Sequence, residues 1–533
     1  MPAVVVAAIL AALYLVLDPP SADLAAQTYR VGLFEREGPI AWDNHWYGGH
    51  HLPGYSVLFP PLAALLGLHV VAALSLVAGT AAFAALMRTW NAPTGSAIWF
   101  AFSFAAMLVS GRLAFALGVA FGVTAMLAVA AGRVKTAAAL GALTALSSPV
   151  AALFLAIPGI AVAATAWGPA ALSNFRRGNL DADQRSAGRK YARQDPHAGA
   201  ATAGLPNVAP AAVAMAAGAM SVTGLLVLAF PEGGAEPFVA SAFWPALAAA
   251  LIATACATGA VRTGAALYAL LLIAAFAVST PLGGNATRLG VLVGGPLAVA
   301  LIRDRRLLAI AAVPLAYWVL YPAARDWSQA HGDPARAAAY YTPLLAQLDK
   351  AGGPPARLEI PFTQGHWEAA HVAEHVPLAR GWERQLDRKV NAVFYEGDLT
   401  TERYRAWLLD NAVRWVALPD APLDYSAEQE AALIERGLPY LEEIWRDEHW
   451  RLYEVSGAAS LNATALTPDS FTTAGGTVKV RWTPYWAIVG GRGCVRRAAG
   501  DWTAVEPGPG ASTVRVAIRI SLARALSHGP RCR

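Results

Sequence analysis

The first 323 residues are long apolar runs separated by short polar clusters, and residues 324–533 instead alternate on the shorter periods of a folded polar domain. A helix that crosses a bilayer needs about 20 mostly apolar residues, with a range near 17–25. Runs at 2–17, 69–87, 95–110, 113–132, 136–148, 150–167, 207–230, 238–258, 264–280, 286–302 and 307–323 are read as spans. The break Ser147-Ser148-Pro149 allows either a helical hairpin or one long kinked helix, because proline disfavours helical backbone at its predecessor. The segment LFPPLAALLG (58–67) is too short to cross and reads as interfacial or re-entrant.

The polar part divides in two. Residues 324–458 predict an α/β layer: RLEIPFT and VRWVALPD as strands, TTERYRAWLLDNA as an amphipathic helix, and YLEEIWRDEHWRLYEV as two strands around a polar turn. SAEQEAALIERG reads as a helix with a serine cap in a capping-box pattern, ended by glycine. Residues 459–533, with TVKVRWTPYWAIV and TVRVAIRISL around Gly- and Pro-rich turns, predict a small β-sandwich-like module. The fold class is therefore a polytopic α-helical membrane bundle of about eleven spans, with an α/β layer and a C-terminal β module.

Charge sets the orientation. The chain is 56% hydrophobic and only 14% charged, against roughly 25% charged in a soluble domain. Its positive clusters are Arg88; Arg133 and Lys135; Arg176, Arg177, Arg185, Arg189, Lys190 and Arg193; Arg262; and Arg303, Arg305 and Arg306. With 136–167 as a hairpin all of them fall on one side, as the positive-inside bias requires. The expectation is an inner (plasma) membrane protein with a cytoplasmic N-terminus, a cytoplasmic linker at 168–206 and residues 324–533 outside. The first run lacks the basic flank of a signal peptide and reads as a retained helix. The net charge of +5 follows from the same bias, and no nucleic-acid motif accompanies it. Cys494 and Cys532, alone together in the polar part, predict a disulfide, whereas Cys256 lies in an apolar run and reads as a core residue.

Candidate chemistry clusters on the outer side. Asp18 reads as a solvated loop residue and Asp23 as a functional acid at the membrane surface. In WDNHWYGGHH, Trp42, Trp46 and Tyr47 could form a sugar-stacking platform or an interface belt, and His45 is carried with them as a sugar- or acceptor-binding residue. Asp43, His45, His50 and His51 offer metal ligands, but at no recognised zinc spacing, so no metal or other cofactor is predicted. Arg112 and Arg288 stand outward against the positive-inside bias, where guanidinium groups suit a phospholipid-like phosphate. In IPFTQGHWEAAHVAEHVPLARGWERQLDRK, His366, Trp367, Glu368, Arg380 and Trp382 read as glycan-binding residues or as a surface that docks on the membrane part. His371 and His375 share a helix face without the zincin spelling. Asn285-Ala-Thr287 and Asn462-Ala-Thr464 match the glycosylation pattern and read as coincidence.

The layout as a whole resembles the class C (GT-C fold) polytopic membrane glycosyltransferases. Asp23 in the first outer loop, GPIAWDNHWYGG and the SSP-broken hairpin carry the resemblance, as do the WLLDNAVRWVALPD and HWRLYEV segments. The resemblance covers nearly the whole chain, through layout and short phrases. It implies a polyprenyl-phosphate sugar donor, a cell-envelope glycan acceptor and an acidic base in the first outer loop. Only Asp23 maps to that base, and the family's usual acid pair is a single acid here, because Leu24 follows. Asp43 is carried as a second catalytic candidate, and Arg112 and Arg288 as the groups that stabilise the leaving phosphate. Two other classes fit the same layout: a transporter or flippase of lipid-linked intermediates, and a non-catalytic envelope assembly protein.

Overall fold

The computed structural model describes residues 1–167, 205–526 and 531–532, so nearly all of the linker expected at 168–206 lies outside the described residues. The chain forms a helical bundle with a sheet-bearing C-terminal part. Among the described residues six helices are long and apolar enough to cross a membrane: α4 (Leu68–Thr89), α6 (Leu113–Ala130), α8 (Pro149–Trp167), α9 (Leu205–Ala229, counted from Asn207), α11 (Gly259–Ala277) and α13 (Arg305–Ala330). Shorter apolar helices stand beside them: α1 (Pro2–Leu17), α5 (Thr94–Val109), α7 (Val134–Ser147), α10 (Ala240–Cys256) and α12 (Thr287–Leu301). Outside this set, α2 (Ala22–Glu37) is amphipathic and α3 (Phe59–Leu66) is the short helix expected in LFPPLAALLG.

The question at Ser147-Ser148-Pro149 is answered by packing. Ser148 is extended (φ −160°, ψ 114°), so α7 stops and α8 restarts at Pro149. A Cβ on Gly141 of α7 would come within 2.3 Å of the Met215 carbonyl of α9, and one on Gly159 of α8 would meet the Met215 side chain at 3.4 Å. In a continuous helix those two glycines would be about 27 Å apart at 1.5 Å per residue. They therefore sit on two arms of a hairpin. A Cβ on Gly218 of α9 would likewise strike the Ala138 carbonyl of α7 at 2.3 Å, the small-residue packing that lets membrane helices approach. The carbonyl of Leu146, freed near the break, accepts from the backbone N–H groups of Val57 and Leu58 at 2.8 and 3.0 Å. The 38–67 loop thus seats on the hairpin's tip.

In the C-terminal part, β3 (Arg357–Glu359), β4 (Val413–Pro419), β6 (Trp450–Val455) and β5 (Leu441–Arg446) form one sheet in that order, with β3 parallel to β4 and the rest antiparallel. The helices α14 (Ala338–Ala351), α17 (Thr401–Asp410) and α18 (Glu428–Glu435) accompany this sheet. The β module has two four-stranded sheets. One orders β10 (Trp486–Gly490), β13 (Val514–Ile518), β8 (Ser470–Thr473) and β7 (Ala465–Thr467); the other orders β14 (Arg531–Cys532), β11 (Gly493–Arg497), β12 (Trp502–Pro507) and β9 (Gly476–Arg481). Val478, Val480, Trp486, Val495, Val505, Val514 and Val516 fill its core, and the Cys494–Cys532 disulfide ties β14 to β11.

Three expectations change. The helix expected at 307–323 runs on to Ala330, carrying the polar residues Arg325 and Asp326 on its last turns. Cys256 is exposed at the end of α10, because that helix packs through Phe243, Ala246, Leu247 and Ala250 and turns its other side outward. The capping box before α18 does not form, since the Ser426 hydroxyl donates to Asp424 at 2.7 Å and leaves Ala427 as an uncapped start.

Glu430, one turn into α18, is fully buried with Glu359 of β3 and Asp387 around the Arg380 guanidinium. One cation meets three carboxyls, so protons must stay in the cluster. Burial, then the Glu430 charge, pushes Glu359 well above its ordinary range, and burial pushes Glu430 up to about 7 despite Arg380. Both folded values exceed the unfolded one near 4.3. The stability these protons supply is therefore complete below about pH 4 and is lost as pH rises through the folded values. Thermal unfolding of the full chain should show a stability decline centred near neutrality, and Glu359→Gln should flatten it. An unchanged pH slope in that variant would remove Glu359 from the proton inventory.

Candidate functional site

The loop after α2 is a keystone rather than an open platform. Its short strands β1 (Trp42–Asp43) and β2 (His50–His51) pair antiparallel. Trp42 is buried in the β-module core, edge-on to Trp486, while Asn44 donates its side-chain amide to the Thr467 carbonyl and its backbone N–H to the Pro468 carbonyl. Trp46, fully buried, stacks on Tyr29 at 4.6 Å and donates to the Ala369 carbonyl. Tyr47, also buried, donates to the Glu383 carbonyl at 3.0 Å. The backbone of half-buried His45 accepts from Leu378. All three aromatic rings are spent on packing, which corrects the expectation of a sugar platform or an interface belt at Trp42, Trp46 and Tyr47.

Asp43 is likewise structural. It is fully buried, accepts from the Tyr29 hydroxyl at 2.9 Å and from the His45 N–H at 3.0 Å, and burial pushes its carboxyl up. His50 is buried, stacked on Trp46 and held well below its usual range by burial and then by Arg30. His51 contacts Glu232 at 2.7 Å and Thr483 at 3.1 Å. Among the described residues no cluster of His, Cys, Asp or Glu is arranged to hold a metal.

The 357–390 segment is the surface docked on that loop. Arg30 of α2 forms a buried ion pair with Glu383, and Arg36 pairs with Glu374 at 2.8 Å. His366 is buried at a left-handed φ of 52° against Phe362. Arg384 clasps Asp424 with two bonds, at 2.8 and 3.2 Å. Burial would raise Asp424, but the bonds from His366 and Arg384 win and hold it well below the carboxylate range. Trp367 stacks on His371, whose Nε2 bonds the Arg336 carbonyl. Glu368 is buried, takes the Thr363 hydroxyl at 2.6 Å and is pushed up to about 8 by burial. Arg380 belongs to the buried cluster described above, and only Trp382 is half-buried. Docking, rather than glycan binding, accounts for His366, Trp367, Glu368 and Arg380, because none presents a free face.

Asp23, Arg112 and Arg288 are different. Ser21 caps α2 and places Asp23 in its first turn, where the helix dipole favours a carboxylate. Asp23 rests on Gly111, since a Cβ there would meet the Asp23 Cβ at 2.9 Å. With φ at +70°, Gly111 makes the turn that presents Arg112, the residue capping α6. Arg288, in the first turn of α12, lies with its guanidinium 5.6 Å from the Phe115 ring, one turn along α6 from Arg112. The three are half-buried. Burial pushes the Asp23 carboxyl above its ordinary range, and Arg288 first, then Arg112, pull it back.

Among the described residues neither guanidinium group forms an ion pair with an acid. Arg112 reaches the Met107 sulfur at 3.6 Å, and the buried Arg288 Nε has no hydrogen-bond partner among the described residues. Asp326, on the overrun of α13, and Glu236, in the α9–α10 loop, also act on this charge field. The Glu236 loop is pinned by backbone bonds of Glu236 N–H to Thr280 and Gly284 N–H to Pro237, and by Ala235 N–H to Gln385. Loops of the bundle and the α/β layer therefore converge on one charged neighbourhood, where Arg112 and Arg288 face the acids Asp23 and Glu236.

Sequence reasoning missed three members of the neighbourhood. Gln27 and Arg30 follow Asp23 at i+4 and i+7 and so share its helix face, a spacing visible in ADLAAQTYR. Tyr55 faces that stripe: the Gln27 amide donates to its hydroxyl, and the Arg30 guanidinium lies 4.0 Å from its ring. No protein-family model and no curated protein matches this chain.

Proposed function

We propose that the chain acts on a lipid-linked phosphate where its bundle meets its C-terminal modules, as a membrane glycosyltransferase of the GT-C type. The observation that carries the reading is the pair Arg112 and Arg288: two cations beside the half-buried acid Asp23, with neither guanidinium in an ion pair among the described residues. A half-buried guanidinium is costly without an anion, and a phosphate supplies one with matching bidentate geometry. Asp23 then serves as base toward an acceptor hydroxyl, and the arginines stabilise the departing lipid phosphate. An apolar tail would lie among the helices below.

The eleven-span topology belongs to the same proposal. With α7 and α8 as two arms of a hairpin, Arg88, Arg133, Lys135, Arg262 and Arg303 would all fall on one side of the membrane, which supports a cytoplasmic N-terminus. The Cys494–Cys532 disulfide supports an oxidising compartment for residues 324–533.

In membranes carrying the full chain, a photoactivatable polyprenyl-phosphate sugar should crosslink near Arg112 and Arg288. Arg288→Lys should weaken capture about tenfold, because an ammonium cannot reproduce the guanidinium fork. Crosslinks spread over the lipid-facing helices, with none on the outer ends of α6 and α12, would sink the reading.

A further inference from the structure

We infer that the Tyr55 hydroxyl is a third hydrogen-bond donor to the phosphate, completing a donor set with Arg112 and Arg288. This rests on the lipid-phosphate site proposed above and assigns it a residue from outside the bundle. Tyr55 comes from the 38–67 loop, yet α2 fixes its position. Gln27, one turn on from Asp23, donates its side-chain amide to the Tyr55 oxygen, so the hydroxyl is held one helical turn from the acid. The ring is clamped from the other side by Arg30, 4.0 Å away, whose own place is set by the buried pair with Glu383.

The hydrogen-bond inventory then gives the role. A phenol has one O–H to give and can accept as well. Gln27 occupies the oxygen as an acceptor, which leaves the O–H proton for a separate partner, and among the described residues no acceptor takes it. Burial first, then the Asp23 charge, pushes Tyr55 up to about 12, so the proton is retained across physiological pH. Arg288 Nε is buried without an acceptor and the Arg112 guanidinium has only a thioether. Donors outnumber acceptors at this point of the molecule, with Asp23 and Glu236 as its nearby acids. The complementary ligand is rich in acceptor oxygens and carries negative charge: a phosphate monoester. Tyr55 is tied to the α/β layer through Arg30 and Glu383, so its hydroxyl would approach the phosphate from that layer.

The test uses the full-length protein in detergent, with farnesyl phosphate as ligand in titration calorimetry. Farnesol and inorganic phosphate serve as controls. Wild type should bind farnesyl phosphate well above farnesol. Tyr55→Phe keeps the ring on Arg30 and deletes only the hydroxyl, and it should weaken farnesyl phosphate binding about tenfold or more, as expected for a hydrogen bond to a charged group. Its thermal unfolding and its farnesol binding should match wild type. If Tyr55→Phe binds farnesyl phosphate like wild type while Arg288→Lys binds weakly, the phosphate site stands and the Tyr55 assignment falls. If wild type prefers farnesyl phosphate no more than farnesol, the site and Tyr55 fall together. Loss of farnesol binding or of thermal stability in Tyr55→Phe would make the residue a structural one and overturn the inference. Equal affinity for inorganic phosphate, with the same loss in Tyr55→Phe, supports the donor role and assigns the ligand to free phosphate.

Discussion

Arg380→Met should destabilise the α/β layer by about 3–5 kcal/mol, the largest stability loss expected from any single change in this protein. The guanidinium is 1% exposed and lies between the rings of Phe362 and Phe394, 3.8 and 3.9 Å from their centroids. It donates to Asp387 at 2.7 Å and to Glu430 at 3.3 Å, with Glu359 at 4.0 Å. Methionine fills much of the same volume between the two rings, so the cavity cost is small. What is lost is the sole cation among three buried carboxyls. Any of the three that is ionised then remains as an uncompensated buried charge. The deficit should accordingly shrink at pH 5, where protons are plentiful, and grow at pH 8. Hydrogen exchange over residues 357–455 in the full chain reads the local loss without requiring the bundle to unfold reversibly. Protection within 1 kcal/mol of wild type at pH 8 would show that the cluster does not hold the layer together.

The same cluster shows which parts of the molecule could be read from its sequence. Hydropathy and period marked the helices and strands because burial acts on every residue of an element. The ends of α1, the hairpin at Ser148 and the strands around RDEH were therefore legible, as was the Cys494–Cys532 pair. Charge asymmetry supplied the choice of hairpin before packing at Gly141 and Gly159 settled it. The polar-aromatic stretches were misread because one residue type serves two physical purposes. Trp46 stacked on Tyr29 has the same local signature as a tryptophan waiting for a sugar. The difference lies in what comes back from more than 300 residues away, here the carbonyl of Ala369 and the Glu383 that pairs with Arg30. Long-range partners of that kind leave no periodic trace. The grouping of Asp23 with Arg112 and Arg288 was legible because each stood at a helix end against its surroundings. Tyr55 was not, because its environment is fixed by Gln27 and Arg30 from another element.

On the proposed transferase reading, Asp23→Asn should cut sugar transfer by about 10²–10⁴-fold while leaving the fold intact. The substitution keeps the size of the side chain and a hydrogen-bonding oxygen, and the contact with Gly111 is made by the Cβ, which asparagine retains. Asparagine is also well tolerated near the start of a helix, where Ser21 already supplies the cap. What disappears is the ability to take a proton, together with the negative charge that faces Arg288 and Arg112. The carboxyl is raised by burial against the pull of Arg288 and Arg112, which moves it toward the pH at which a base works best. The acid limb of activity in wild type should therefore lie above the range of an ordinary exposed carboxylate. Activity should rise with pH as Asp23 loses its proton. Asp43→Asn is the contrasting variant: it disturbs the buried bond to Tyr29 and should lower stability more than it lowers turnover per folded molecule. Donor capture separates chemistry from binding, because Asp23→Asn should still crosslink a polyprenyl-phosphate sugar through the arginines. A variant that transfers sugar at the wild-type rate would leave Asp23 as a charge that merely balances Arg112 and Arg288, and the transferase reading would give way to transport or assembly around a bound lipid phosphate.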